Sequence, residues 1–393
     1  MKDIETCSIC GTCLQDCGRL KFYELLGSGS EWYEQRLGVC PKCGLIVTKD
    51  PFTPEQLENR YKKESKFEYD NDSLVHDATQ KIFPEQSRRQ KFFIDVNVQG
   101  DYESVLEVGA ASGYNLSLYK DKTVFGIEPS ETNCRLARGN YGVELFPGMW
   151  SEFYQKHGEK AYDLVFLSMV LEHIVNPYQF IKECREFCKK YIFIYVPTLD
   201  YQFVEEPFGL FGEEHVNIFT LEGLHSMMHA AGFSLMDAEM VYGWKYKLPA
   251  GFPAIMTLWK KGGEDSLPLP DTTSTERLHR YWTKCEERLA EINEKIERIP
   301  ATERLALWGV GHHVSMLLAN TCLREKNIVA ILDSDERKTG IPIMGHPITP
   351  FSKVYMDQND VDAILITTYT AQDAILRQLK TSGYQGKVYT LYQ

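Results

Sequence analysis

The stretch that decides the fold is Val105-Leu106-Glu107-Val108-Gly109-Ala110-Ala111-Ser112-Gly113-Tyr114. Its apolar start is typical of a strand buried in a parallel sheet. Gly109 and Gly113 allow the following turn to bend tightly and to bring backbone N–H groups close to a ligand. A second apolar segment, Val124–Glu128, ends in a carboxylate that is suited to accept hydrogen bonds from both ribose hydroxyls. Together the two segments predict a site for a nucleoside-containing cofactor.

The glycine spacing separates two kinds of cofactor site. Here it is E-x-G-x-x-x-G, whereas the dinucleotide fingerprint is G-x-G-x-x-G, so the pattern disfavours pyrophosphate binding. The spacing and the acidic end of the second strand resemble motif I of class I S-adenosylmethionine-dependent methyltransferases. The resemblance implies that Glu107, Gly109, Gly113 and Glu128 bind S-adenosylmethionine.

A second signature follows at Tyr162–Pro177, where the sequence resembles the YD-x-V-x-x-x-x-V-L-E-H-x-x-x-P pattern of the same class. In that class, the segment that includes Ser168 passes the methionine part of the cofactor. The turn near Met149 and Trp150 covers the adenine, although Trp150 is equally compatible with a place in the core. For the Glu-His pair of this signature, Glu172 and His173, hydrogen bonding that orients the loop is favoured over direct catalysis.

Alternating strands and helices between residues 66 and 261 predict an α/β fold with a doubly wound sheet. Expected strands and helices include 105–109, 130–140, 162–168, 177–188 and 191–196. In such a sheet, ligands collect beyond the carboxyl ends of the strands. The two signatures therefore lie at the edge where a ligand is expected.

The amino-acid composition and net charge limit the kinds of partner and the cellular location that we expect. The chain has 393 residues and a formal net charge of −12, which argues against a surface that follows nucleic-acid phosphates. No apolar stretch approaches the length of a membrane span, and no secretory leader is visible, so a cytoplasmic location is expected. The odd number of cysteines, 11, favours metal ligands and free thiols over a disulfide framework.

Four of these cysteines form two C-x-x-C-G units at Cys7, Cys10, Cys40 and Cys43. Two such turns make a closed tetrahedral Zn²⁺ site, which stabilises a segment too small to fold by burial alone. Four thiolates leave no open position on the metal, so this predicted zinc site is structural.

Another ligand set remains open. Cys7 and Cys10 also begin a C-x₂-C-x₂-C-x₃-C run with Cys13 and Cys17, which is the pattern of an iron–sulfur cluster. The run lacks the proline that usually follows it and has Gly18 instead. It also leaves the second C-x-x-C unit unexplained, so zinc is favoured.

A glycine-flanked loop, 208–220, carries Glu214 and His215 before a helix that Thr220 is expected to cap. A carboxylate beside a histidine is suited to take a proton near neutral pH. Capping and bracing of the next helix is the alternative role for this pair.

The order of a zinc ribbon, a methyltransferase core, this E-H-x-x-x-[FY]-[ST] loop and a Rossmann-like end resembles the sugar C-methyltransferases that act on nucleotide-linked keto sugars. The resemblance covers essentially the full chain and implies that the base lies in the pair Glu214 and His215. The family usually has a tyrosine two residues before this glutamate, where this chain has Gly212. Tyr61 or Tyr69 is a candidate replacement, and packing is the alternative for both.

After a linker-like segment at 262–270 and a charged helix at 275–298, a second strand–glycine–helix unit begins at Arg304. Val314 occupies the position of the third glycine, which disfavours an NAD site. The resemblance implies that this smaller Rossmann-like domain binds the nucleotide end of the substrate. A helix is expected to begin at His312 and His313, and these two residues are suited to contact a phosphate of the substrate. The alternative is that they are only polar residues at the start of a helix.

The predicted segments are a zinc-binding ribbon and lid (1–65), the methyltransferase core (66–261), a linker and docking helix (262–299) and a Rossmann-like substrate domain (300–393). The expected function is methyl transfer from S-adenosylmethionine to a small metabolite, most of all to a carbon of a nucleotide sugar. O- or N-methylation of a sugar or natural product and methylation of a protein partner are the alternatives. Acceptor identity and oligomeric state stay open.

Overall fold

A computed structural model describes residues 3–23, 32–53, 56, 75–156, 160–212, 215–241, 253–262 and 266–392. The chain forms two compact units. The first comprises Met1–Gly18, Arg36–Tyr201 and Leu210–Leu278, and the second comprises Arg19–Gln35, Gln202–Gly209 and His279–Gln393. The division into four segments expected from the sequence stays a prediction.

The first unit is built on a seven-stranded sheet with the order β10-β11-β8-β7-β4-β5-β6. Its strands are β4 Ser104–Val108, β5 Thr123–Glu128, β6 Leu145–Pro147, β7 Tyr162–Ser168, β8 Cys188–Pro197, β10 Phe233–Val241 and β11 Ala254–Lys261. Strands β4 to β8 pair in parallel, and β11 joins β8 and β10 antiparallel. This is the doubly wound sheet that the alternating pattern predicts.

Three helices of the first unit begin at residues with capping side chains. Ser130, Asn176 and Thr220 each accept a backbone N–H bond at a helix start, and Pro177 opens its helix. The helices are α1 Val75–Val98, α2 Tyr114–Ser117, α3 Glu131–Leu136, α4 Trp150–Lys156, α5 Pro177–Phe187 and α6 Leu221–Ala230.

The α-helix that the sequence predicts at 130–140 ends earlier, at Leu136. After Leu136 the chain continues as a π-turn, Ala137–Tyr141, that closes on Gly142 with a φ of 68°. Only glycine adopts this left-handed conformation without strain, so the end of the helix follows from Gly142.

Both faces of the sheet are covered. Along β7, Val165 and Leu167 join one buried apolar cluster, whereas Leu164 and Phe166 join another. Because successive side chains of a strand point to opposite faces, each face carries its own core. Complete burial of such side chains contributes about 1.5–3 kcal/mol each, which fixes the strand ends relative to one another.

A smaller sheet with the order β1-β2-β3-β9 comprises β1 Gln15–Tyr23, β2 Trp32–Val39, β3 Ile46–Thr48 and β9 Asn217–Ile218. Strand β9 lies in the stretch that follows the predicted catalytic loop, and Val47 pairs with Asn217. The cysteine-rich start of the chain is thereby joined to the segment that carries β9 within the first unit.

In the second unit, a six-stranded sheet has the order β14-β15-β13-β12-β16-β17. Its strands are β12 Leu305–Trp308, β13 Ile328–Leu332, β14 Pro342–Ile343, β15 His346–Thr349, β16 Ala363–Ile366 and β17 Lys387–Thr390. Strand β12 pairs in parallel with β13 and β16, and the Rossmann-like substrate domain stays a prediction.

The remaining helices are α7 Ser274–Glu297, which contains the boundary between the units, α8 His312–Asn320, α9 Lys353–Gln358 and α10 Gln372–Thr381. Within the described residues, no helix has both the length and the apolar composition of a membrane-spanning helix.

Candidate functional site

The glycine turn after β4 is closed by backbone hydrogen bonds to β5. Gly109 and Ala110 both donate to the carbonyl of Ile127, at 2.9 and 3.0 Å. Gly109 has a φ of 72°, and a Cβ there would lie 2.7 Å from Val170 Cγ2. Gly113, with a φ of 76°, similarly faces Ala137 at 2.8 Å. Both glycines are therefore required by backbone conformation and by close packing.

Glu128 lies at the carboxyl end of β5 and binds the glycine turn directly. Its Oε2 accepts from the Ala111 N–H at 2.8 Å, and its Oε1 accepts from the Ser130 N–H at 2.9 Å and from Asn133 Nδ2 at 3.3 Å. A carboxylate accepts several hydrogen bonds, and these three hold the orientation of Glu128. The side chain is 6% exposed.

Glu107, on β4, is almost completely buried, and that burial raises its pKa to about 8. Asn115 Nδ2 donates to its Oε1 at 2.7 Å. Among the described residues, Oε2 has no hydrogen-bond partner. An acceptor left in this state costs free energy, so the position favours a ligand that brings a donor or a positive charge.

The end of β7 adds a polar contact that the sequence motifs do not reveal. Gln90, from α1, donates through Nε2 to the hydroxyl of Ser168 at 3.1 Å. Its Oε1 is buried and has no partner within the described part of the chain. The next residue, Met169, has a φ of 54°, a conformation that is strained for a side chain of this type. Strain of this kind concentrates at ligand sites.

Met149 and Trp150 lie at the start of α4. The Met149 N–H donates to Glu152 Oε2 at 2.6 Å, and Trp150 Nε1 donates to Glu183 Oε2 at 2.7 Å. The indole also packs edge-on against Phe180. These contacts place Trp150 at the margin of the core, and a role for the two residues at the adenine stays a prediction.

The described part of the predicted catalytic loop brings His215 to the Glu-His pair of the second signature. The rings of His215 and His173 lie 5.2 Å apart, and His173 Nε2 is 3.7 Å from Glu172 Oε1. Glu172 is 2% exposed, and burial raises its pKa to about 8. Glu214, Tyr61 and Tyr69 lie outside the described residues.

The four predicted metal-binding cysteines form one cluster. The Sγ atoms of Cys7 and Cys43 are 3.4 Å apart, and those of Cys10 and Cys40 are 3.5 Å apart. A tetrahedron with metal–sulfur bonds of about 2.3 Å has sulfur–sulfur distances of about 3.8 Å, close to these values. Gly11 and Gly44 end the two turns in left-handed conformations, with φ values of 69° and 73°.

Cys13 and Cys17 do not join this cluster in the described structure. Cys13 is exposed, and the Cys17 thiol contacts the carbonyl of Gln15 at 3.5 Å. The geometry thus groups the cysteines by C-x-x-C unit and disfavours the iron–sulfur ligand set.

In the second unit, the two histidines that begin α8 are differently placed. His313 is buried, and burial lowers its pKa to about 3. Its Nε2 lies within hydrogen-bond reach of the Tyr392 hydroxyl. The ring of His312 packs against Phe22 with centroids 4.7 Å apart. His313 is therefore a core residue, so a phosphate contact at this helix start would fall to His312 and the backbone.

Comparison with known proteins agrees with the geometry of the first unit. Residues 67–238 match a family model described as a methyltransferase domain, so this part of the chain is similar to that domain. A search of curated proteins found no match.

Solved structures provide more distant similarities. Magnesium protoporphyrin IX methyltransferase from Synechocystis is 11% identical, with 53% of this chain and 100% of that chain covered and a TM-score of 0.41. The 1,6-didemethyltoxoflavin-N1-methyltransferase of Burkholderia thailandensis is 14% identical, with 58% of this chain and 96% of that chain covered and a TM-score of 0.42. A SAM-dependent methyltransferase from Archaeoglobus fulgidus is 18% identical, with 45% of this chain and 94% of that chain covered and a TM-score of 0.36.

Proposed function

We propose that the domain at residues 67–238 transfers a methyl group from S-adenosylmethionine to a small metabolite. The observation that carries this proposal is the pairing of Glu128 with the glycine turn beside Oε2 of Glu107, which has no hydrogen-bond partner among the described residues. S-adenosylmethionine supplies an activated methyl group, a ribose diol, an α-ammonium group and a sulfonium. The hydroxyls of its ribose diol can donate hydrogen bonds to Glu128, and its positive charge can compensate the buried carboxyl group of Glu107.

Within this proposal, the protein's main contribution is to position the two reactants. The methyl group is already activated, so transfer requires the nucleophile, methyl carbon and sulfur in line. Glu128 is held by three protein donors, and Gln90 is tied to Ser168, so the strand ends present a preformed surface. A preformed surface lowers the entropy that binding costs.

For the acceptor, we propose a carbon next to the ketone of a nucleotide-linked keto sugar. Such a carbon becomes a nucleophile only after losing a proton, which requires a base. Glu214 and His215 are the proposed pair. His215 Nδ1 lies 3.0 Å from the carbonyl of Leu210, which can only accept, so Nδ1 carries the proton and Nε2 keeps its lone pair.

The experiment that tests the reaction combines purified protein, labelled S-adenosylmethionine and a panel of nucleotide-linked keto sugars. We expect label on a sugar carbon, located by mass spectrometry, and binding of S-adenosylmethionine in calorimetry. The double variant Glu214→Gln, His215→Gln should lose turnover and keep cofactor binding. Retained turnover in that variant would reject the base assignment, and label on oxygen or nitrogen would replace C-methylation by the alternative reaction.

For the four-cysteine cluster, we propose a structural Zn²⁺ held by Cys7, Cys10, Cys40 and Cys43. Support comes from the sulfur–sulfur distances and from Gly44, where a Cβ would lie 1.9 Å from Asp271 Oδ2. The second C-x-x-C-G unit therefore packs tightly against the residues that cap the helix at Ser274. Metal analysis should find one zinc per chain, and Cys40→Ser should lose it, whereas Cys13→Ser should keep it.

A further inference from the structure

Three potential metal ligands meet at the end of β7, outside the four-cysteine cluster. Glu172, His173 and His215 each offer a ligand atom, and these atoms all lie within 4.8 Å of one another. The three residues come from two segments that are 42 positions apart in the sequence.

The carboxylate of Glu172 is the strongest indication of a ligand. Its side chain is 2% exposed, and its Oε2 has no hydrogen-bond partner within the described structure. Its Oε1 lies 3.7 Å from His173 Nε2, which is beyond a hydrogen bond. A buried carboxylate requires a compensating donor or cation, because its desolvation is costly.

The surrounding hydrogen bonds hold the cluster in place. The Val216 N–H donates to the Glu172 carbonyl at 2.9 Å. Asn217 Nδ2 donates to the carbonyl of Ile174 at 2.6 Å, on the other side of the pair. The Leu210 carbonyl accepts from His215 Nδ1, which is the arrangement that metal-binding histidines use to direct the other ring nitrogen at an ion.

We propose that Glu172, His173 and His215 bind a divalent transition-metal ion such as Mn²⁺. Two imidazoles and one carboxylate form a ligand set that such ions favour, and three protein ligands leave positions open for water or for an acceptor oxygen. The site is distinct from the cysteine cluster, whose soft sulfur ligands select Zn²⁺.

The role of this ion rests on the proposed function. At the acceptor site, its charge would stabilise the negative charge that develops on the ketone oxygen when the neighbouring carbon loses its proton to Glu214. The carbon then forms its bond to the methyl group while the methyl–sulfur bond breaks, and that electron pair stays on sulfur. The proposal thus assigns ion binding to His215 and proton removal to Glu214 within the predicted pair.

The test uses the zinc-loaded full chain and measures Mn²⁺ binding by electron paramagnetic resonance, in which bound Mn²⁺ loses its free-ion signal. We expect one Mn²⁺ per chain, at least tenfold weaker binding in Glu172→Gln and in His173→Gln, and unchanged binding in the control His229→Gln. The second variant covers the case in which Glu172→Gln does not fold. Absence of Mn²⁺ binding in the unmodified protein, or unchanged binding in both variants, would overturn the proposal.

Calorimetry of S-adenosylmethionine binding on the same samples separates this proposal from the proposed function. Cofactor binding without Mn²⁺ binding would reject the metal site alone. Mn²⁺ binding that depends on Glu172, without cofactor binding, would support the metal site and reject the methyltransferase assignment.

Discussion

The two glycine turns of this protein share one backbone design and differ in their charges. In the first unit, Ala111 donates to Glu128 at 2.8 Å, and in the second, Val310 donates to Asp333 at 2.8 Å. In both, the first glycine of the turn donates to the neighbouring strand, at 2.9 and 3.0 Å. A strand, a left-handed glycine and an acidic strand end thus occur twice.

The charge around each turn distinguishes them. In the second unit, Lys338 Nζ binds both Asp333 Oδ2, at 3.0 Å, and the Val310 carbonyl, at 2.6 Å. The strand residue two positions before the glycine is the apolar Leu307, where the first unit has the buried Glu107. Within the described residues, the second turn has its own cation, Lys338, whereas the buried Glu107 beside the first turn has none. The difference indicates that only the first turn needs a cationic ligand to complete it.

The largest expected effect is on cofactor affinity. In Glu128→Gln, the amide NH2 would face one of the two backbone donors, the N–H of Ala111 or of Ser130, which should weaken S-adenosylmethionine binding at least thirtyfold, or about 2 kcal/mol. Asp333→Asn should leave the dissociation constant unchanged. Calorimetry measures both, and an equal loss in the two variants would remove the distinction between the turns.

A smaller effect is expected at the glycines. Gly109→Ala and Gly309→Ala each force a side chain into a left-handed conformation, and each new Cβ meets a side-chain carbon, at 2.7 and 2.8 Å. We expect each to destabilise its own unit by about 1–2 kcal/mol, and only Gly109→Ala to weaken cofactor binding, by about tenfold. Gly311→Ala is the control, since a Cβ there meets nothing within 4 Å. Weaker cofactor binding in Gly309→Ala would contradict the comparison.

The last expected effects are pH dependences of stability that have opposite signs in the two units. The pKa of Glu107 rises from 4.5 to about 8 on folding, so the folded state holds an extra proton between these values. The contribution of Glu107 to the free energy of unfolding is fully present below about pH 4.5 and is lost as pH rises through about 8. The pKa of His313 falls from 6.5 to about 3, so its contribution is present above pH 6.5 and is lost as pH falls towards 3.

Hydrogen exchange resolved by segment checks this prediction without the cofactor. Protection of β4 should decline between pH 5 and about 8 in the unmodified protein and less so in Glu107→Gln. Protection of β12 should decline between about pH 6 and 4, and His313→Gln should reduce that decline. Parallel pH profiles in β4 and β12 would show that the two buried groups do not act as proposed.

Local chemistry made much of the first unit predictable. The strand Tyr162–Ser168, the helix that Pro177 opens and the cap at Thr220 all occur where apolar runs and capping residues indicate them. Gly109 and Gly113 adopt the left-handed conformations that their turn requires. These features depend on residues that are close in sequence, so their signals are contained in short windows.

Contacts between distant segments could not be read in this way. Gln90 and Ser168 are 78 positions apart and share no motif, yet they bond at the end of β7. The sequence assigned Glu172 and His173 to loop orientation and predicted Glu214 and His215 as the base pair, but it gave no sign that the two histidines lie side by side with Glu172.

The sequence alone predicted the alternating strands and helices around the two signatures, the two glycine turns and the grouping of four cysteines into two C-x-x-C units. Periodicity, caps and left-handed glycines are local properties of the backbone, and they carry this information directly. Only the tertiary structure shows which polar groups meet and, among the described residues, which atoms have no hydrogen-bond partner, including Oε2 of Glu172 beside the two histidines. That outcome depends on how loops pack at the strand ends, because burial and charge pairing are set by segments far apart in the chain.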